Sequence, residues 1–217
     1  MDDEIVLKRL RLIDWEDLDQ GAPAICSLLE DICKDISYMS FLLNRVADDE
    51  ELSALCEVYD VLDKIVVLDD RESRARVRFH LFKAGTFDRP HNHRWTYGSR
   101  ILAGRYDHVI FGESSGWGAD SRVSDIRPKF VQSNGEGATY VLHHELIHSA
   151  RAPVDTITLI LRGPPASSDF FVGGRESGQL WRQTGRELES SAEKEAKRMS
   201  PRRLAELTSH IKEQISI

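Results

Sequence analysis

From Ala75 onward the chain alternates apolar and polar residues with a period of two, in short runs broken by turn-forming residues. In the first run Val77, Phe79 and Leu81 fall on one side, and Arg76, Arg78, His80 and Phe82 on the other. Successive side chains of a strand point to opposite faces, so this pattern predicts a half-buried strand. A short strand is expected at 65–68, and others over 96–102, 105–111, 121–130, 139–142, 145–151, 156–162, 169–172 and 179–181. Turn signals separate them at Ala103-Gly104, Gly112 to Gly116, Asn134-Gly135, Gly163-Pro164-Pro165 and Gly173-Gly174. Many short strands at this spacing predict a sandwich or small barrel rather than a βαβ fold.

The flanks follow a different period. Ile25, Leu28, Leu29, Ile32 and Ile36 recur at three- and four-residue steps, as do Leu52, Leu55, Cys56, Tyr59 and Leu62. Asp48-Asp49-Glu50-Glu51 places negative charge at a helix start, where the helix dipole favours it. At the other end Ser200-Pro201 reads as a capped helix start, followed by a stripe of Leu204, Leu207, Ile211 and Ile215. The expected division is a helical extension over 1–66, a β-barrel over 67–182 and a helical tail over 183–217. The tail stripe is expected to dock on the barrel or to build a homodimer.

Composition narrows the function classes. A net charge of −7 over 217 residues argues against nucleic acid or an anionic membrane as the main partner. No apolar run reaches the roughly 18–20 residues that span a bilayer. The three cysteines, Cys26, Cys33 and Cys56, are odd in number. With an acidic start that lacks a signal-peptide pattern, they predict reduced, apolar thiols in a cytoplasmic protein.

The chemistry concentrates in Gly85-Thr-Phe-Asp-Arg-Pro-His91-Asn-His93. Histidines at i and i+2 of an extended segment share a face. A third imidazole from a distant strand, His148, completes a three-nitrogen metal site, with His144 as its competitor. Such a site suits Fe, Mn, Ni, Cu or Zn and leaves coordination positions open. Pro90 stiffens the chain just before His91.

This segment resembles the first cupin motif: Gly85, five residues, His91-Asn-His93, Tyr97 where a glutamate is usual, then Gly104. Gly137 and His148 resemble the ends of the second motif, with His143 and Glu145 at its usual proline and glycine positions. The resemblance covers residues 75–162. It implies a mainly β fold, a cupin double-stranded β-helix or jelly-roll barrel, here with an N-terminal helical segment and a C-terminal helix. It also implies one divalent metal on His91, His93 and His148, with Fe(II) first and Zn, Mn or Ni as alternatives. Cupins with three histidines and no acidic ligand look like the thiol dioxygenases and related iron(II) oxygenases, which makes O2 an expected partner. Those with a Cys–Tyr crosslink carry a cysteine after the His-X-His, and no cysteine follows Cys56 here.

Tyr97 in place of glutamate leaves the metal its full charge on neutral nitrogens, which favours an anionic ligand. Its hydroxyl is a candidate catalytic proton donor, or its ring packs in the barrel. Arg78, Arg100 and Arg162 are candidate carboxylate clamps for a small-molecule substrate, or they balance surface acids. Phe82 and Trp95 are candidate pocket walls, or core. Three functions follow: an iron(II) oxygenase acting on a small carboxylate or amino acid, a non-redox metal-dependent isomerase, lyase or hydrolase, and a non-catalytic ligand-binding module.

Overall fold

The computed structural model describes residues 1–83, 85–118, 121–152, 155–174 and 178–217, with backbone alone at 86 and 87. Four helices open the chain: α1 (Asp3–Leu12), α2 (Leu18–Lys34), α3 (Ile36–Arg45) and the single turn α4 (Glu50–Ser53). Each begins on an aspartate, Asp2, Asp17, Asp35 or Asp49, whose carboxylate accepts a backbone N–H of the first turn. That satisfies an otherwise orphaned donor at the positive end of the helix dipole. Ile25, Leu28, Leu29 and Ile32 are buried on α2, as their spacing predicts. Ile36 does not share that face, because α2 ends at Lys34 and Ile36 begins α3 with 58% of its surface exposed.

The second helical repeat is not a helix. Beyond Ser53 the chain forms β1 (Glu57–Val58) and β2 (Leu62–Asp69), so strand structure starts before residue 66. The run Ile65-Val66-Val67-Leu68 is the centre of β2 and is buried throughout. There follow β3 (Arg76–Phe82), β4 (Thr86–Phe87), β5 (Tyr97–Ala103), β6 (Arg105–Glu113), β7 (Phe130–Gly135), β8 (Thr139–Leu142), β9 (Leu146–Ala152), β10 (Thr156–Arg162), β11 (Asp169–Gly173) and β12 (Leu180–Thr184). The expected strand at 121–130 is replaced by a short 3-10 turn, Val123–Asp125. Val123 and Ile126 are three residues apart and reach one cluster with Phe171 and Leu180, a spacing a turn satisfies and a strand does not.

The strands pair antiparallel into two sheets. One runs β1-β2-β3-β10-β5-β8 and the other β4-β9-β6-β7, with β11 and β12 as a separate hairpin. The sheets face one another across a cavity lined from both sides. The outer face of the larger sheet carries Val77, Phe79, Leu81, Ile157, Leu159 and Leu161. These share one hydrophobic core with Val6, Leu10, Ile25, Leu28, Leu29 and Ile32 of the helices. Strand β10 is buried at every residue, because helices cover one of its faces and the cavity lies on the other.

The C-terminal helix α6 (Pro201–Gln214) starts where the sequence places it, with Ser200 Oγ accepting Arg203 N–H at 3.2 Å. Before it, α5 (Ser191–Ala196) is a short exposed helix with a capping box. Leu204, Leu207 and Ile211 of α6 are buried in the same helical core, so the stripe docks within the chain. No described helix is long and apolar enough to cross a membrane.

One ion pair ties α1 to the turn after β2. Arg11 donates two hydrogen bonds to Asp70, at 2.9 and 2.8 Å. Arg11 holds the buried Asp70 carboxyl well below its ordinary 3.8, down to about 2. An acid whose pKa falls on folding contributes stability above its unfolded value and loses it as pH falls through the folded one. Asp70→Asn is therefore expected to cost about 1–2 kcal/mol near neutral pH, after allowance for the half-exposed arginine. In urea titrations the gap between wild type and variant should close as pH drops from about 4 to about 2.

Candidate metal centre

The site assembles where the chain between β4 and β5 crosses β9. His91 and His148 sit opposite one another, His91 N–H donating to His148 O at 2.9 Å and His148 N–H to His91 O at 2.8 Å. This is the hydrogen-bonded pair of an antiparallel ladder, which fixes both Cα positions by main chain alone. His93 lies two residues on and presents its ring to the same side. The intervening Asn92 points away, where its amide donates to His144 O at 3.1 Å and accepts Phe171 N–H at 2.7 Å. The His-Asn-His segment is thus pinned on both faces.

The three rings converge. One ligand nitrogen from each of His91, His93 and His148 lies within 4.8 Å of the others. His93 Nε2 and His148 Nε2 are 2.8 Å apart. Two imidazoles bound at 2.0–2.1 Å and at right angles around one cation would be about 2.9 Å apart. His91 Nδ1 lies 2.7 Å from the Arg89 carbonyl, which can only accept, so Nδ1 carries the proton and Nε2 is the free lone pair. Burial, together with neighbouring positive charge and imidazoles, pushes His93 and His148 well below 6.5, so both are neutral donors near pH 7. Spacing, tautomer and charge all fit a divalent metal held by three nitrogens. Among the described residues the group contains no carboxylate.

A fourth histidine, His108, serves the third. Its Nε2 is 2.9 Å from His148 Nδ1, on the side of the ring away from the centre. Strands β6 and β9 pair with His108 opposite Ala150, so His108 and His148 are diagonal neighbours on one face. His108 stands outside both histidine motifs of the sequence. The signal was the alternation of buried Tyr106 and His108 with more exposed Arg105 and Asp107. His144 does not replace His148. With His143 it faces Glu16, each ring 3.9 Å from the Glu16 carboxylate, outside the triad. Glu145 is exposed on its turn.

Tyr97 is buried, its ring edge-on to His93 at 4.9 Å between centroids. Its hydroxyl is 3.5 Å from that of Tyr140, which is also hydrogen-bonded to Tyr106. Burial pushes Tyr97 and Tyr106 well above 10 and raises Tyr140 as well, so these hydroxyls keep their protons at neutral pH. Burial likewise raises the thiols of Cys33 and Cys56, to about 11 and about 12, which leaves them inert apolar groups away from the centre.

The cavity holds about 630 Å³ and is lined by the triad, Tyr97, Arg78, Arg162, Phe82 and Trp95. Trp95 stacks on His93 at 4.5 Å and lies under the guanidinium of Arg78, also at 4.5 Å. Arg100 is not in the cavity. Tyr97 and Ser99 of β5 face inward, so Gly98 and Arg100 face outward toward α2. There Arg100 donates to Thr139 Oγ1 at 2.9 Å. Lys64, His80 and Thr158 also line the wall, and none of them was a candidate from sequence.

The chain matches no protein-family model and no curated protein. Among solved structures its fold is similar to an RmlC-like cupin from Shewanella frigidimarina, at 15% identity and TM-score 0.39, over 56% of this chain and 85% of that one. It is also similar to KdgF from Halomonas sp., at 16% identity and TM-score 0.36, over 49% of this chain and 83% of that one. A third is the DMSP lyase DddQ from Ruegeria pomeroyi, at 14% identity and TM-score 0.38, over 51% of each chain.

Proposed function

We propose that this protein is a metal-dependent enzyme acting on a small organic anion, with Fe(II) as its metal and O2 as co-substrate. The observation that carries the reading is the converging triad of imidazoles, without a carboxylate in the group, in a cavity that arginines also line. A bound divalent metal supplies Lewis acidity and, as iron, a route for electrons between substrate and O2. Three nitrogens leave its positive charge uncompensated, which favours an anionic substrate oxygen or sulfur beside it.

The chain's own residues do the rest. Arg78 and Arg162 draw a substrate anion into the cavity and orient it. Trp95 and Phe82 supply apolar wall that excludes water around the reacting end. Tyr97 keeps its proton in this buried setting and donates a hydrogen bond to an oxygen on which negative charge develops. Tyr140 and Tyr106 lie behind it as a hydroxyl chain toward the second sheet.

The test is anaerobic loading of the protein with Fe(II), followed by O2-uptake assays on a panel of small carboxylates, amino acids and thiols. Substrate-dependent O2 consumption that matches substrate loss is the expected result. Turnover at an unchanged rate without O2 would leave a Lewis-acid lyase or isomerase in its place. A protein that takes up no divalent metal would end both readings.

A further inference from the structure

The β2–β3 wall of the cavity holds buried polar groups that the protein itself does not answer. Arg78 Nε and Nη2 are buried and find no hydrogen-bond partner among the described residues. Lys64 rests its ammonium over the Tyr59 ring at 4.0 Å and makes no ion pair among them. His80 Nε2 and Thr158 Oγ1 are likewise buried and unpartnered. Two of the acids that line this cavity, Glu57 and Asp88, have other partners as well. Glu57 is held by Arg186 and by the Tyr59 hydroxyl, and Asp88 accepts Arg89 N–H and faces His91.

These groups form one arrangement, fixed by strand register. Lys64 pairs with His80 and His80 with Thr158, in a row across β2, β3 and β10. Arg78 is two residues along β3 from His80 and so faces the same way. A guanidinium with buried N–H groups that lack acceptors is costly, and the cost is offset when an anion docks against it. A forked guanidinium, an ammonium, an imidazole and a hydroxyl offer donors for several oxygens at once. The row lines the same cavity as the metal centre, and Trp95 lies between them, its ring 4.5 Å from the Arg78 guanidinium and stacked on His93 at 4.5 Å. Strand β3 is two strands from β5, which carries Tyr97, and two strand spacings are about 9–10 Å.

We infer that the substrate carries a second oxyanion, a carboxylate or phosphoryl group remote from its reacting end, and that Lys64, Arg78 and His80 hold it. This rests on the reading of the triad as the reaction centre and names the class of molecule that centre serves. The substrate is then an elongated acid with one end at the histidines and its other, charged end on the β2–β3 wall. A compact monoanion would fill only one of the two positions.

Calorimetric titration of the metal-loaded full chain tests this. The probes are straight-chain dicarboxylates of increasing length, the monocarboxylates of matching length, and inorganic phosphate. At the best length the dicarboxylate should bind roughly tenfold or more tighter than its monocarboxylate, the increment expected for an added charge-assisted contact. Arg78→Met and Lys64→Met should each shrink that advantage while leaving one metal per chain. If Arg78→Met fails to fold, Lys64→Met carries the same comparison. Phosphate binding that rivals the best dicarboxylate and is lost with Arg78 marks a phosphoryl end, and its absence marks a carboxylate. Equal binding of mono- and dicarboxylates at every length, or an advantage untouched in both variants, overturns the inference. Failure of the triad reading looks different: no metal is taken up, yet phosphate or dicarboxylate binding still depends on Arg78.

Discussion

His148→Ala should yield a folded protein that retains almost no metal, and turnover should vanish with it. The substitution removes one of three donors and also the partner of His108. It does not touch the main-chain bonds between residues 91 and 148 that hold the two segments together. Fold and metal content therefore separate, and circular dichroism with metal analysis by mass spectrometry reads both. His108→Ala makes the graded control. Loss of a group that orients a ligand typically weakens metal affinity by about 10–100-fold rather than abolishing it. Competition against a chelator should show that intermediate step. If His148→Ala kept its full metal content, the centre would lie elsewhere, and the Glu16, His143 and His144 cluster would be the place to look.

Phe79→Ala should cost about 3–5 kcal/mol, the usual penalty for emptying a large aromatic site in a closed core. Phe79 is fully buried on the outer face of β3, in the core that joins sheet and helices. Its neighbours in sequence, Arg78 and His80, face the cavity instead. The variant should thus unfold at much lower urea while binding metal normally wherever it is still folded. A loss of less than about 1 kcal/mol would mean that the helices are not held through this core. On the same face Gly98 has no room for a side chain, since an added Cβ would lie 2.1 Å from Ile25 Cγ2. Gly98→Val should therefore force α2 outward and cost about 1–3 kcal/mol.

Period-two alternation made much of the fold legible. Along β3 it separated Val77, Phe79 and Leu81 from Arg76, Arg78, His80 and Phe82, and the structure divides them the same way. The same rule, carried through from Tyr97, places Arg100 on the opposite face, three residues on. Arg100 was a candidate only because it lies inside the motif, and sequence proximity within a strand says nothing about facing. Residues 54–66 misled because Leu52, Leu55, Cys56, Tyr59 and Leu62 fit a helical spacing, while the chain there passes from a one-turn helix into β1 and β2. His108 and Lys64 were hidden for another reason. Their importance comes from which strands become neighbours, and pairing between β6 and β9, or between β2 and β3, leaves no local mark in the chain.

The helices at both ends serve as the backing of the larger sheet, and this limits how the protein can be shortened. A fragment cut back to its strands would set Val77, Phe79, Leu81 and Leu159 against water as a broad greasy panel, and such fragments would clump before any ligand could be tested. The leading and trailing segments must travel with the cage of imidazoles, and grafting that cage onto another scaffold would mean carrying its lining of helices too.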